Sequence, residues 1–291
     1  MPDFKFINIP NLENWVISAP KRRTRPHSEK KSDFCPFCVG NEKRDPSVYR
    51  IGGEGDDEKW STRVINNKYP FAPIHEVIIQ TPDHKAHFTD LPLDQIKLII
   101  ETYVQRFSTH MKAGSVCIFG NSGKEAGESI HHPHAQLAVV PKDIPLVVPR
   151  LEENLDYRQE HFKIKDFTIT CPPYSQWPDE VWIIPENRGR LFSEISFEEI
   201  ENLSYIIKRL ITIFEIRHGH EFPHNFYIYP HRDWYYRIMP RAKMLGGFEI
   251  ATGIFVNTQD PKETMNFVKE HFFDEEEEKI STHKADYRKG V

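Results

Sequence analysis

Cysteine is scarce, with four in 291 residues, too few at this length for a disulfide scaffold. Long apolar runs are missing too. No stretch approaches the roughly 18 consecutive apolar residues of a membrane helix, so no membrane partner is expected. The opening segment, MPDFKFINIPNLENW, contains no apolar core; a secretory signal is not expected, and the chain reads as cytoplasmic. Positive charge is not in excess: 38 Lys and Arg stand against 43 Asp and Glu, a net of −5. That balance gives no electrostatic footprint for nucleic acid. What the chain does hold is 15 His, 20 Phe, 11 Tyr and 5 Trp. With 38% hydrophobic and 28% charged residues it has the composition of a folded globular protein, long enough for two domains.

The cysteines divide into a pair and two singles. Cys35 and Cys38 form a C-x-x-C in Phe34-Cys35-Pro36-Phe37-Cys38, while Cys117 and Cys171 sit in apolar, strand-like runs and read as small buried hydrophobes. In an intracellular chain, C-x-x-C marks half of a zinc site or a redox pair. A redox pair wants a strand leading into a helix, and the preceding Pro20-Lys21-Arg22-Arg23-Thr24-Arg25-Pro26 is basic and turn-like. Zinc is therefore the leading reading. No further cysteine stands at ribbon spacing, so histidines must complete such a site.

A weak internal repeat follows. His75-Glu76-Val77-Ile78-Ile79-Gln80-Thr81-Pro82 and Asp179-Glu180-Val181-Trp182-Ile183-Ile184-Pro185 are both β runs with an early acidic residue and a closing proline. Phe88-Thr89-Asp90-Leu91 parallels Phe192-Ser193-Glu194-Ile195 at an offset of about 104 residues. Each precedes an amphipathic helix, Leu93 to about Met111 and about Phe197 to His218, with Thr89 and Ser193 as expected cap residues. Two strands follow each helix: Ser115–Gly120 and Leu137–Pro141, then Asn225–Tyr229 and Tyr235–Pro240. The fold class expected is α+β with two related halves. The acidic tail, Asp274-Glu275-Glu276-Glu277-Glu278, is expected to be a solvated helix end or extension.

The chemistry concentrates in Asn121-Ser122-Gly123-Lys124-Glu125-Ala126-Gly127-Glu128-Ser129-Ile130-His131-His132-Pro133-His134-Ala135-Gln136. In an extended chain alternate side chains share a face, which groups His132, His134 and Gln136; Pro133 keeps His132 extended. An imidazole beside an amide and a Gly-punctuated loop suits a nucleophile acting at phosphorus, with backbone N–H groups of the loop to cradle phosphate.

These residues resemble the active-site signature of the galactose-1-phosphate uridylyltransferase family, within the histidine-triad (HIT) superfamily. Trp15 to Pro26 resembles the family's N-terminal Trp/Arg/Pro stretch, Thr81-Pro82-Asp83-His84 its P-[DE]-H strand end, and Tyr174 to Pro185 its second-half W-P-x-E strand. The resemblance implies two tandem HIT-like domains, 1–165 with the catalytic segment and 166–291 with a sugar-binding segment. It implies His134 as the nucleophile that takes a nucleoside monophosphate from a nucleotide sugar, most simply UMP from a UDP-hexose, and passes it to a sugar 1-phosphate. Gln136 and Ser129 are implied as its catalytic helpers. Arg22, Arg25, Asn66, Asn121, Gly123 and Gly127 are implied as substrate contacts, with Lys243 and Glu249 at the sugar. Cys35, Cys38, His84 and His132 match the ligands of one structural zinc ion. His87 and His131, although each neighbours a proposed ligand, match none. Family members are homodimers with active sites shared between subunits.

The chain also departs from the family pattern. Where several members carry an H-x-H for a second metal, it has Tyr235-Tyr236-Arg237, and no second metal is expected there. A glutamine used for the hexose falls on an apolar residue near Phe255. That opens an alternative in which ADP-glucose or a dinucleoside polyphosphate is the donor and phosphate the acceptor. A more distant alternative is a zinc-stabilised nucleotide-binding protein without turnover.

Overall fold

The computed structural model describes residues 4–10, 12–24, 35–53, 59–151 and 160–273. A hairpin opens the chain, β1 (Lys5–Asn8) with β2 (Trp15–Ser18). The first half then supplies β3 (Ser47–Gly52), β4 (Trp60–Asn66), β5 (Ile74–Ile79), α1 (Leu93–His110), β6 (Ser115–Ser122) and β7 (His134–Val140). The second supplies β8 (His161–Ile164), β9 (Phe167–Thr170), β10 (Val181–Pro185), α2 (Phe197–His218), β11 (His224–Ile228) and β12 (Tyr236–Pro240), then α3 (Gly247–Thr252) and α4 (Pro261–Phe272). The acidic tail lies outside the described residues.

Ten strands form one antiparallel sheet in the order β3-β4-β5-β7-β6-β11-β12-β10-β9-β8. The five strands of each half run outward from the β6–β11 pair, in matching order. The expected mixed helix-and-sheet class is what forms. Residues 165 and 166 are the turn of the β8–β9 hairpin.

Alternation along the strands splits the sheet into two unlike faces. One carries Ile78, Ile118, Ala135, Leu137, Phe226, Tyr236 and Ile238 against α1 and α2, in a core that includes Ile99, Tyr103, Phe107, Leu203, Leu210 and Phe214. Each such side chain taken fully from water contributes roughly 1.5–3 kcal/mol. Gly120 sits on this face because a Cβ there would come within 2.0 Å of the Phe226 ring.

The stretches Phe88–Asp90 and Phe192–Glu194 are matching 3-10 turns. Each is closed by a carboxylate three residues on: the His87 N–H donates to Asp90 at 3.3 Å and the Leu191 N–H to Glu194 at 2.6 Å. These turns displace the helix caps from the residues expected. Thr89 and Ser193 lie within the turns; Pro92 precedes α1, and Ser196 caps α2. Ser196 Oγ accepts from the Glu199 N–H at 3.2 Å, and Glu199 accepts from the Ser196 N–H at 2.8 Å.

Candidate active site

The loop after β2 and the ends of β5 and β7 meet at one cluster. Cys35 Sγ lies 3.6 Å from His132 Nδ1, and Cys38 Sγ lies 3.4 Å from His84 Nδ1 and 3.8 Å from His132 Nδ1. The two Nδ1 atoms are 3.3 Å apart. A tetrahedral zinc ion, bonded at about 2.3 Å to sulfur and about 2.0–2.1 Å to nitrogen, spaces two nitrogens by roughly 3.3 Å and a nitrogen and sulfur by roughly 3.6 Å. The donor set and its spacing fit a metal ion. All four cysteines are free thiols, and burial together with neighbouring Cys35 pushes the Cys38 thiol up to about 11. His132 Nε2 is 2.8 Å from the Thr81 carbonyl oxygen. A carbonyl can only accept, so Nε2 carries the proton and Nδ1 presents its lone pair to the thiols. Burial, with His84 and His134 nearby, lowers His132 to about 4 and keeps it neutral.

This cluster holds the loop to the sheet, and two further anchors help it. Trp60 Nε1 donates to Glu42 at 2.7 Å, and the buried Arg63 guanidinium donates to Ser47 Oγ at 2.9 Å and to the Asp45 carbonyl.

On the sheet face away from the helices, β7 presents His134 and Gln136, opposite Ile79 and Val77 of β5. His134 Nδ1 lies 2.8 Å from the carbonyl oxygen of His132. The proton again belongs on Nδ1, leaving Nε2 as the basic nitrogen. Gln136 is buried and its Oε1 is fixed from two sides. His75 Nε2 is 3.0 Å away and Asn67 Nδ2 is 3.3 Å away. Since His75 Nδ1 accepts from the Phe71 N–H at 3.3 Å, Nε2 is the His75 donor, and the amide nitrogen is the end of Gln136 left to meet a ligand. Phe71 packs against His75 with ring centres 4.1 Å apart and planes tilted by 56°, and the Arg22 guanidinium lies 4.9 Å from the Phe71 ring centre. Arg22 also donates to the Tyr69 carbonyl. Arg22, Phe71, His75, Asn67 and Gln136 are thus linked by contacts, and His134 lies two residues from Gln136 on the same face of β7.

The comparisons fit this geometry. The model of the galactose-1-phosphate uridyl transferase N-terminal domain matches residues 60–139, the stretch carrying His84, His132, His134 and Gln136. The chain is 26% identical over 322 residues to the ADP-glucose phosphorylase of Arabidopsis thaliana, covering 90% of this chain and 91% of that one. It is 25% identical over 315 residues to the galactose-1-phosphate uridylyltransferase of Thermotoga maritima, with 90% and 96% covered. The Arabidopsis phosphorylase crystallised with ADP-glucose superposes with a TM-score of 0.72 at 25% identity, over 92% of this chain and 99% of that one. The chain is thus similar, along most of its length, to galactose-1-phosphate uridylyltransferases and to the ADP-glucose phosphorylase.

Several site residues implied by the uridylyltransferase likeness fall elsewhere than expected. Asn66 ends β4 as an exposed residue paired with Glu76, on the face opposite His134; its neighbour Asn67 is the one that reaches Gln136. Residues 66 and 67 part because the strand ends between them and the alternation reverses the side chain. The Gly123–Gly127 loop does not hold out a full row of N–H groups. Ala126 and Glu128 donate to the Gly123 carbonyl, Gly127 to that of Lys124, and Gly123 itself to the Glu128 carboxylate at 3.1 Å. Gly123 and Gly127 serve that closed turn with φ of 84° and 86°, a region costly for other residues. Asn121 Oδ1 accepts from Asn225 Nδ2 at 2.8 Å, across the β6–β11 seam. Ser129 follows the loop, half-buried.

Arg25 lies outside the described residues. Lys243 and Glu249 pair with each other at 2.6 Å, and Lys243 also donates to the Val256 carbonyl at 2.6 Å. Among the described residues their hydrogen bonds stay within 243–256. Sequence reading missed His75, Asn67 and Phe71; the available signal was the alternation that places His75 on the face of Val77 and Ile79.

Proposed function

We propose that the chain is a nucleotidyltransferase working through a covalent nucleotidyl-histidine on His134. The observation that carries this reading is the grip of the His132 carbonyl on His134 Nδ1 at 2.8 Å, beside a Gln136 amide whose oxygen is already held. His134 Nε2 attacks the α-phosphorus of a nucleotide sugar, and the bond to the sugar 1-phosphate breaks as that group leaves. An incoming oxyanion then attacks the same phosphorus and frees His134 Nε2. Gln136 would donate to a phosphoryl oxygen as charge builds there, Arg22 would meet the phosphates, and Ser129 would add a hydroxyl. Cys35, Cys38, His84 and His132 would hold one zinc ion, which ties the N-terminal loop to the segment carrying His134 and takes no part in the transfer.

For the second substrate, phosphorolysis of ADP-glucose is supported by the Arabidopsis relative and by the apolar residue near Phe255 where a hexose contact is expected. Transfer of UMP between a UDP-hexose and hexose 1-phosphate is the second reading, supported by the Thermotoga relative. The two halves are read as copies of one HIT-like unit, supported by their matching strand order. A homodimer completes the proposal. Lys243 and Glu249 bond among themselves in their own chain, and Met244, Phe248, Ile250 and Ile254 beside them are exposed, as a segment offered to a second copy would be.

The test is intact mass spectrometry after incubation with ADP-glucose or UDP-glucose alone. The expected result is one nucleotidyl adduct on wild type and none on His134→Gln. If neither sugar nucleotide labels wild type, the reading fails. Addition of phosphate, with release of nucleoside diphosphate followed, separates phosphorylase from transferase.

A further inference from the structure

Asn121 and Asn225 stand opposite each other where the two halves of the sheet join, in register across the β6–β11 pair. They are 104 positions apart, the spacing that also separates the 3-10 turns beginning at Phe88 and Phe192. Their side chains have different uses. Asn225 Nδ2 donates to Asn121 Oδ1 at 2.8 Å and to the Ala126 carbonyl oxygen at 2.9 Å, with the Gly120 carbonyl oxygen further off at 3.4 Å. We propose, resting on the nucleotidyl reading of His134, that Asn225 is a positioning residue: from the second half of the chain it fixes which end of the Asn121 amide faces the nucleotide beside His134.

Hydrogen-bond polarity decides the orientation. A backbone carbonyl can only accept, so the end of Asn225 that meets Ala126 is its nitrogen. That nitrogen carries two hydrogens. One goes to the Ala126 carbonyl and the other to Asn121, which must therefore turn its oxygen toward Asn225. The Asn121 nitrogen is left as the donor end, and no acceptor for it stands among the described residues.

The strand register brings that donor beside the nucleophile. Gly120 lies opposite Ala135 of β7, so the next pair outward is Asn121 with His134, on one face of the sheet. Both residues line one cavity of about 400 Å³. Two residues along β7, Gln136 has its oxygen held by His75 and Asn67. His134 is thus neighboured by two amides, each held by its oxygen and each left with N–H groups for an oxygen of the substrate. Gln136 takes its support from the first half of the chain, Asn121 from the second. Through Ala126 the same Asn225 nitrogen also ties down the turn that leads to Ser129, so one side chain pins both the strand end and the loop.

The test is a double-mutant cycle between Asn225 and Asn121 in the full chain, measured two ways. Asn225→Asp replaces the donor with an acceptor, so the Asn121 amide must turn its nitrogen toward position 225 and present its oxygen to the nucleotide. Calorimetry gives the affinity for ADP-glucose and for UDP-glucose in the His134→Gln background, where no adduct forms. Mass spectrometry gives the rate of adduct formation with His134 in place. The expected result is that Asn225→Asp weakens both by roughly tenfold or more, the scale of a hydrogen bond to a charged group. In the Asn121→Ala background it should cost no more than about twofold. A side chain that only supports the fold would cost the same in both backgrounds. Asn225→Ala, which releases the Asn121 amide without reversing it, serves if the aspartate variant does not fold, and should show the same pattern at smaller size. If wild type forms no adduct while the calorimetric cycle is non-additive, the covalent reading of His134 fails and the positioning role stands. Equal losses in the two backgrounds, no loss in either Asn225 variant, or no binding of either sugar nucleotide by the His134→Gln protein would each overturn the proposal.

Discussion

His132 supports His134 through its own backbone: its carbonyl oxygen accepts from His134 Nδ1 at 2.8 Å while its ring faces the two thiols. The position of the reactive imidazole is thereby coupled to the metal-ligand cluster two residues upstream. Loss of the cluster should loosen the tautomer of His134 before it changes the sheet. In Cys38→Ser we expect zinc content to fall from one per chain toward none and the melting temperature to drop. The rate of nucleotidyl labelling should fall by more than substrate binding does. Metal analysis, calorimetry and single-turnover labelling check this; a fully active, zinc-free Cys38→Ser protein would dissociate the cluster from His134.

Gln136 offers a sharper probe of the transfer step, because His75 and Asn67 hold its oxygen and so aim its amide nitrogen. Gln136→Leu keeps the volume and removes the donor. Loss of one preorganised donor to a developing oxyanion costs on the order of 10²–10³-fold in rate. The adduct on His134 should still form, slowly. His75→Phe should share part of the defect by letting Gln136 turn. Rates of adduct formation in the two variants decide it, and unchanged rates in both would remove Gln136 from the chemistry.

How much of this was legible before folding depended on residue type and length. α1 and α2 are long and strictly amphipathic, and their spans were readable to within a residue or so. Cys35 and Cys38 were legible as half of a metal site from their C-x-x-C spacing, whereas His84 and His132 were implied as partners only by the family resemblance, and the fold brings all four together. β1, β2 and β3 were not legible, since they are short and half-exposed and so leave little apolar alternation. β4 hides behind Arg63, a charged residue that becomes fully buried only because a loop 16–21 residues away in sequence supplies its acceptors. Asn66 was chosen over Asn67 because a strand end is invisible to a motif.

Asp179 makes a prediction about acid stability. Its side chain is buried and accepts from Arg217, from His218 at 2.9 Å and from Thr264 at 2.9 Å, joining β10 to the ends of α2 and α4. Burial alone would raise its pKa; His218, Arg217 and Thr264 outweigh that and hold it below the ordinary 3.8. The stability from its charge is therefore complete above the unfolded value and is lost as pH falls through the lower folded one. Asp179→Asn leaves Arg217 and His218 without their shared anion, a loss of about 3–5 kcal/mol at neutral pH on the scale of broken buried pairs. Urea melts should show that gap at pH 7 and a narrower one near pH 3. A constant gap would mean the amide fails for packing reasons alone.

The segment 243–256 tests the homodimer. Lys243 is committed to Glu249 and to the Val256 carbonyl, hydrogen bonds that stay within this stretch. Phe248 and Ile250 stand 55% and 73% exposed on α3, the wrong side chains for water and the right ones for a partner's surface. Phe248→Asp with Ile250→Asp should give a folded monomer by light scattering. If the sugar contact crosses between subunits, the same variant should raise the KM for the sugar nucleotide sharply while wild type remains a dimer at the same concentration. Glu249→Gln, which leaves the apolar surface intact, should keep the dimer and lose only affinity for the hexose, so the two variants part assembly from recognition. A wild-type monomer with full activity would remove the second copy from the site.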